Sequence, residues 1–274
     1  RSMWNFWRGD HLTVRNVIVV GANPNAGAEG NAYVAALEGQ AGFVIGGVQN
    51  MLMERVQVYD VYGDFVHVGA ATQDLLVRYS TFDRNGRQGW NIAGTNITFD
   101  GNIIRNTARA TIDMEPPSTT AGANHIVIMN NKGGKGRLYF FASVGVGAPI
   151  NDVQILNNTL TKALTMTVRA PAAQPRTNYT VAGNVSTQLY GGNGGAFSFV
   201  NVYGIDIHDN VQPTAKYRQP HGVALMDSRD ASITNNTFLN ADGALLDRGG
   251  NQNVTQSGNW GGTPLAPFPP SSIP

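Results

Sequence analysis

The chain has no cysteine among its 274 residues, which excludes a disulfide framework, a thiolate metal site and a cysteine nucleophile. It is also poor in charge. Asp, Glu, Lys and Arg make up 14% of the residues and the formal net charge is +1, against a usual charged share of about 25%. So neutral a chain has no basic footprint for the phosphate backbone, and a nucleic-acid partner is not expected. No apolar run reaches the roughly 18 residues of a membrane span, so membrane insertion is not expected either. There is no initiator Met and no leader-like segment; Arg1 to Trp7 lead straight into a strand-like run. We read the chain as a processed or partial polypeptide. What it does have is a 42% hydrophobic share and 33 glycines, enough apolar surface to offset chain entropy by burial.

One short pattern recurs along the sequence. Two apolar residues stand two apart, an Asn follows three further on, and another apolar residue comes two after that. Ile97, Phe99, Asn102 and Ile104 give the first clear copy, and the Asn position returns at Asn131, Asn158, Asn184, Asn210, Asn236 and Asn259. Looser copies place Val17, Val56 and Ser80 there. Counted from Val17, the steps are 39, 24, 22, 29, 27, 26, 26, 26 and 23 residues. The alternation within each copy has a period of two and is rich in Val, Ile, Thr and aromatics, which selects strands over helices. A coil that cannot bury its own inner face stacks on its neighbours. The expected fold is therefore all-β: a single-stranded right-handed parallel β-helix of about ten coils, roughly 45–50 Å long. The Asn column reads as a ladder, for two reasons: Asn tolerates left-handed backbone, and its amide can bond to the same residue one rung along.

Domain organisation follows. Residues 1–260 form the β-helix, with the 39-residue step holding an inserted loop or short helix near 21–42. Residues 261–274, with Pro264, Pro267, Pro269, Pro270 and Pro274, form an extended tail, cap or linker.

A solenoid lines up equal offsets in space. Eleven residues past the ladder position stand His67, Asn91 and Asp113; seven past it stand Arg87 and Arg109. In R-A-T-I-D-M-E-P, Ile112 and Met114 alternate inward and leave Asp113 and Glu115 outward, about 6.5–7 Å apart at Cα. Asp64, His67, Arg84, Arg87, Asn91, Arg109, Asp113 and Glu115 thus form the densest polar patch of a charge-poor chain. Two chemistries suit it. A carboxylate pair can act as acid and base in glycoside hydrolysis, or Arg and His can neutralise a uronate and remove a proton. As catalytic candidates we take Asp113, Glu115, His67, Arg87 and Arg109; as substrate-binding candidates, Asp64, Arg84, Asn91 and Trp90. A solvated ion-pair ladder would present the same residues and contribute little. No metal-ligand spacing, phosphate loop or G-x-S-x-G elbow occurs, and no cofactor is expected. His11, His125, His208 and His221 are scattered. Gly145, Gly147 and the glycine-rich 191–195 read as turns. Asn96, Asn157, Asn178, Asn184, Asn235 and Asn253 stand in N-x-S/T sequons, at strand starts and turns where Asn is expected anyway. Of the aromatics Trp4, Trp7, Trp90, Tyr139, Phe140 and Phe141, some can stack sugars and at least half should pack inward.

From Leu12 to Trp260 the coils resemble the pectate-lyase-like, right-handed parallel β-helix superfamily. The strings G-A-N-P-N-A-G, Y-G-D-F-V-H-V-G, R-N-G-R-Q-G and I-D-M-E-P further resemble β-helix proteins of actinobacteria and of the tails of their phages. The resemblance implies a polysaccharide lyase, glycoside hydrolase, epimerase or tailspike. The paired-Asp signature of polygalacturonases, the D-P-H-D string of alginate epimerases and the acidic calcium cluster of pectate lyases are missing here. The expected function is thus an extracellular, virion-associated tail β-helix, a homotrimer or part of a larger tail assembly, that binds a cell-envelope glycan with or without cleaving it. The alternative is a secreted lyase or hydrolase acting on an acidic polysaccharide.

Overall fold

The computed structural model describes residues 2–28, 31–116, 122–133, 140–144, 148–161, 166–186, 195–213, 221–239 and 241–261. The Pro-rich tail, Tyr139, Gly145 and Gly147 lie outside them. Among the described residues the only helical element is a 3-10 turn at Ala35–Leu37, and no helix is long and apolar enough to cross a membrane. Everything else regular is parallel strand.

Each coil has three faces. Face one carries the strand before the ladder position, as in Gly94–Asp100, Ala123–Met129 and Ile150–Leu156. Face two follows it, as in Thr81–Asn85 and Ile103–Arg105. Face three returns to the next coil, as in Val66–Val68, Trp90–Ile92 and Ile112–Asp113. Face two stacks as a nine-stranded parallel sheet, slightly short of the expected ten coils. Its top position is closed by an isolated bridge between Thr237 and Trp260. Faces one and three join in one 18-stranded sheet, because the 12-residue strands Trp4–Arg15 and Phe43–Glu54 run unbroken through the corner between them.

The alternation fills the inside with apolar side chains. Ile97, Phe99, Ile126, Ile128, Val153 and Ile155 are fully buried along face one. Aromatic rings form a chain across three rungs: Phe65 to Phe82 at 5.8 Å, Phe82 to Trp90 at 5.5 Å, and Trp90 stacked on Phe99 at 4.1 Å. Such contacts add to the area buried.

The ladder forms as expected, with one correction. Asn131 Oδ1 accepts from the Asn102 backbone N–H at 2.9 Å and from its side-chain amide at 3.1 Å, while Asn131 Nδ2 donates to the Phe99 carbonyl at 3.0 Å. The same set repeats through Asn158, Asn184, Asn210 and Asn236 to Asn259. At the other end Ser80 takes the Asn place: its N–H donates to Asn102 and its hydroxyl accepts from the Val56 N–H. The ladder residues themselves, however, are not left-handed. The residue before each one is: Asn130, Asn157, Asp209 and Asn235 have φ of 53 to 56°, and Gly101, Gly183 and Gly258 have 63 to 64°. A second left-handed column lies six residues before the ladder, at His11, Asn50, Asp74, Asn96, His125, Asp152, Asn178, Gly204, Asp230 and Asn253. Short polar side chains and glycine are the residues that visit this region at least cost. The sequon asparagines fall in these two columns, apart from Asn184, which is in the ladder.

Asn158 and Asn157 separate the two roles. Asn158→Ala leaves the buried Asn131 N–H and Ile128 carbonyl without their partners and should lower stability by about 2–4 kcal/mol. Asn157→Gly keeps the left-handed turn and should change it by less than about 1 kcal/mol. Urea unfolding of the two variants measures both; equal losses would contradict the assignment.

Candidate functional site

The polar patch lies where face two turns into face three on three successive rungs. Bulk is excluded at these turns because the 21–42 insertion folds down onto them. A Cβ at Gly63 would stand 2.3 Å from the Glu38 carbonyl, and one at Gly86 would stand 2.4 Å from the Ala32 carbonyl. Two glycines thus let the insertion touch the coil backbone. Asn23 pins it further, donating to the Ala32 carbonyl at 3.0 Å.

Arg87 is the centre of the cluster. Its Nη1 donates to both Asp64 oxygens at 2.8 and 3.0 Å, its Nε lies 3.4 Å from Glu38, and its Nη2 lies 3.5 Å from Glu115. Burial works against its charge, yet Asp64, Glu115 and Glu38 together hold its pKa above the usual guanidinium value. Asp64 is buried, accepts from the Gln88 N–H at 3.2 Å, and has His67 Nδ1 at 3.5 Å. Glu38 is held below the usual carboxylate range, chiefly by the hydrogen bond that Tyr33 donates to it at 2.7 Å, with Arg87 adding to the effect.

His67, Asn91 and Asp113 stand in one column, paired rung to rung as expected. Asp113 is 6% exposed and accepts from Gln88 Nε2 at 2.8 Å. Its pKa is pushed up to about 6, by burial first and by the neighbouring Glu115 carboxylate second; Gln88 and Arg87 oppose the rise without cancelling it. Two residues on, Glu115 is exposed. Arg109 joins the cluster differently: its guanidinium lies over the Tyr33 ring at 5.3 Å and its N–H bonds to the Arg87 carbonyl.

Three expectations need correction. Trp90 is fully buried, sandwiched between Phe82 and Phe99 in the core, so no ring face is open for a sugar. Arg84 is engaged outside the cluster: it forms a two-pronged pair with Asp60 at 2.7 and 2.9 Å and a longer contact to Asp83. Arg87 is not a free cation awaiting a uronate, because three carboxylates already surround it. Conversely, Glu38, Tyr33 and Gln88 belong to the site and were not singled out from the sequence. The only sign of the first two was their place in the interrupted repeat. Among the described residues no group of His, Asp and Glu converges as a metal site.

With this geometry in view, a family model described as a right-handed β-helix region matches residues 8–160, more than half of the chain. The chain belongs to the right-handed β-helix family. No curated protein sequence is significantly similar to it. Among solved structures, this family member resembles the tailspike protein of Escherichia coli bacteriophage HK620 at 12% identity and a TM-score of 0.59, over 93% of this chain and 48% of that one. DFA-IIIase from Arthrobacter chlorophenolicus A6 matches at 12% identity and a TM-score of 0.55, over 86% and 57%. PfbA, a surface adhesin of Streptococcus pneumoniae, matches at 12% identity and 0.55, over 87% and 62%. The β-helix described here therefore spans about half to three-fifths of the length of these proteins, and the likeness is one of fold.

The Asp113 environment sets a pH dependence. Because its folded pKa lies above the unfolded value near 4, the native state holds this proton more tightly. Its contribution is fully present below about pH 4 and is lost as pH rises through about 6, a fall of roughly 2–3 kcal/mol. Asp113→Asn should remove this component from the stability curve; chemical denaturation between pH 4 and 7 on both proteins checks it, and parallel curves would contradict it.

Proposed function

We propose that the chain is an extracellular glycan-binding β-helix of the tail-associated kind, which hydrolyses a cell-envelope polysaccharide at Asp113 and Glu115. The observation that carries this reading is the contrast between two carboxyls two residues apart. One is nearly buried and keeps its proton up to about pH 6; the other is exposed. Pairs of titratable groups with environments pushed apart are the usual arrangement of an acid and its base.

In the reaction, the Asp113 hydroxyl gives its proton to the glycosidic oxygen as the bond from the anomeric carbon to that oxygen breaks. A water adds to the anomeric carbon and gives its proton to Glu115. Arg87 and Gln88 position the two carboxyls, and His67, the exposed member of the column in which Asn91 is buried, lines the approach to them. The neighbours in fold agree with a glycan ligand without deciding it: the bacteriophage tailspike was solved in complex with a pentasaccharide. The uronate-lyase reading fits less well, because Arg87 is saturated by Asp64, Glu38 and Glu115.

Incubation with cell-envelope polysaccharides, following both reducing ends and the absorbance of unsaturated uronates, tests this. Reducing ends should appear, should fall at least about 100-fold in Asp113→Asn and Glu115→Gln, and should decline as pH rises through about 6. Unsaturated product, or release undiminished in both variants, would contradict it; binding without product would leave an adhesin. Light scattering should show a homotrimer or a larger assembly, and a monomer would contradict the tail-associated part of the reading.

A further inference from the structure

Three inward places on adjoining rungs carry polar side chains where other coils carry apolar ones. Arg176 stands eight before the ladder, a place that Val48, Ala123, Ile150 and Val202 fill on four other coils. Tyr179 stands five before it, in line with Ile126, Val153 and Ile205. Ser143 lines up on face three with Val168, Phe199 and Leu225. Asn178, left-handed with φ of 60°, turns the chain between Arg176 and Tyr179, and both point into the rod. Each is 1% exposed, and Ser143 is fully buried.

The three side chains meet. The Arg176 guanidinium reaches one rung back, where its Nη1 donates to the Ser143 carbonyl and, at 2.6 Å, to the Ser143 hydroxyl. Two further donors there have no partner: Arg176 Nε and the Tyr179 hydroxyl, which Ser143 adjoins. Burial first of all pushes the Tyr179 pKa up to about 12, so the hydroxyl keeps its proton to donate. Ser143 accepts from Arg176 and likewise keeps a proton to give. Burial also opposes the Arg176 charge. Asp113 meets the same cost by holding a proton, but a guanidinium does not release one in a protein. Among the described residues no carboxylate pairs with Arg176; Asp113 acts on it only through space. An uncompensated buried charge is far costlier than an unpaired neutral donor. A water would satisfy the donors and leave the charge unbalanced, whereas a small anion answers both needs.

We infer that Arg176, Tyr179 and Ser143 enclose one monovalent anion of about chloride size inside the rod. Arg176 Nε and the two hydroxyls donate to it, and it balances the guanidinium. With side chains so buried, the ion is taken up as the coils stack rather than from solution onto the finished rod. The site is separate from the carboxyl pair and independent of the glycan-hydrolysing reading.

Unfolding in urea and refolding at one ionic strength, in sodium chloride or in sodium gluconate, tests it, because gluconate is too large for the site. For the unaltered chain the unfolding equilibrium constant should fall with chloride, approaching a tenfold fall per tenfold rise once the site is saturated. Gluconate should not replace it. Tyr179→Phe keeps the charge and loses one donor, so it should need more chloride for the same gain. Arg176→Met should unfold alike in both salts. Crystals grown in bromide should show an anomalous-scattering peak within hydrogen-bond reach of Arg176 Nε and the Tyr179 hydroxyl, a readout that needs neither variant to fold. Equal stability of the unaltered chain in the two salts, an undiminished chloride response in Arg176→Met, or crystals without that peak would overturn the site.

Discussion

One buried side-chain amide per coil ties each rung to the next. Asn131, Asn158, Asn184, Asn210 and Asn236 each accept from the rung before and donate to a carbonyl at the same corner, so that one buried backbone N–H and one carbonyl per rung find a partner inside the coil. The turn then has the same shape on every coil. Identical turns keep successive strands in register, and register is what puts residues distant in sequence side by side. A solenoid has few other long-range constraints, since each coil touches only its neighbours.

The candidate site is a product of that register. Asp64 with His67, Arg87 with Asn91, and Asp113 with Glu115 are each local pairs on separate coils, and stacking alone makes them one cluster. The insertion enters where face two ends, a corner away from the ladder, so an extra loop is accommodated without disturbing the stack. There it contributes Glu38 and Tyr33. The result is a charge-poor rod with one corner where four acids surround two arginines, and within it a single carboxyl sheltered enough to hold its proton near neutral pH.

Much of this was legible in the sequence because a period-two pattern with a recurring Asn has few other folds. Asp113 in line with Asn91 and His67 followed from equal offsets. The same offsets, applied strictly, would have placed Trp90 correctly: it stands ten past Ser80 as Ile112 stands ten past Asn102, so both face inward. The left-handed turn was placed one residue too late, because Asn suits both the ladder and the left-handed position and the two adjoin, as in Asn157–Asn158 and Asn235–Asn236. Glu38 and Gln88 were not legible. The contact of Glu38 with Arg87 depends on how a non-repeating loop folds back across more than forty residues, and that of Gln88 with Asp113 on a side chain at a turn outside the repeated pattern; no periodicity carries either.

The most direct test of the account is hydrogen exchange at single-residue resolution on the ladder amides. If the ladder is the spine of the rod, the backbone N–H groups of Asn102, Asn131, Asn158, Asn184 and Asn210 should exchange only through global unfolding, with protection as high as that of the buried strands. Exchange of these amides at the rate of exposed turns, while the strands stay protected, would contradict it.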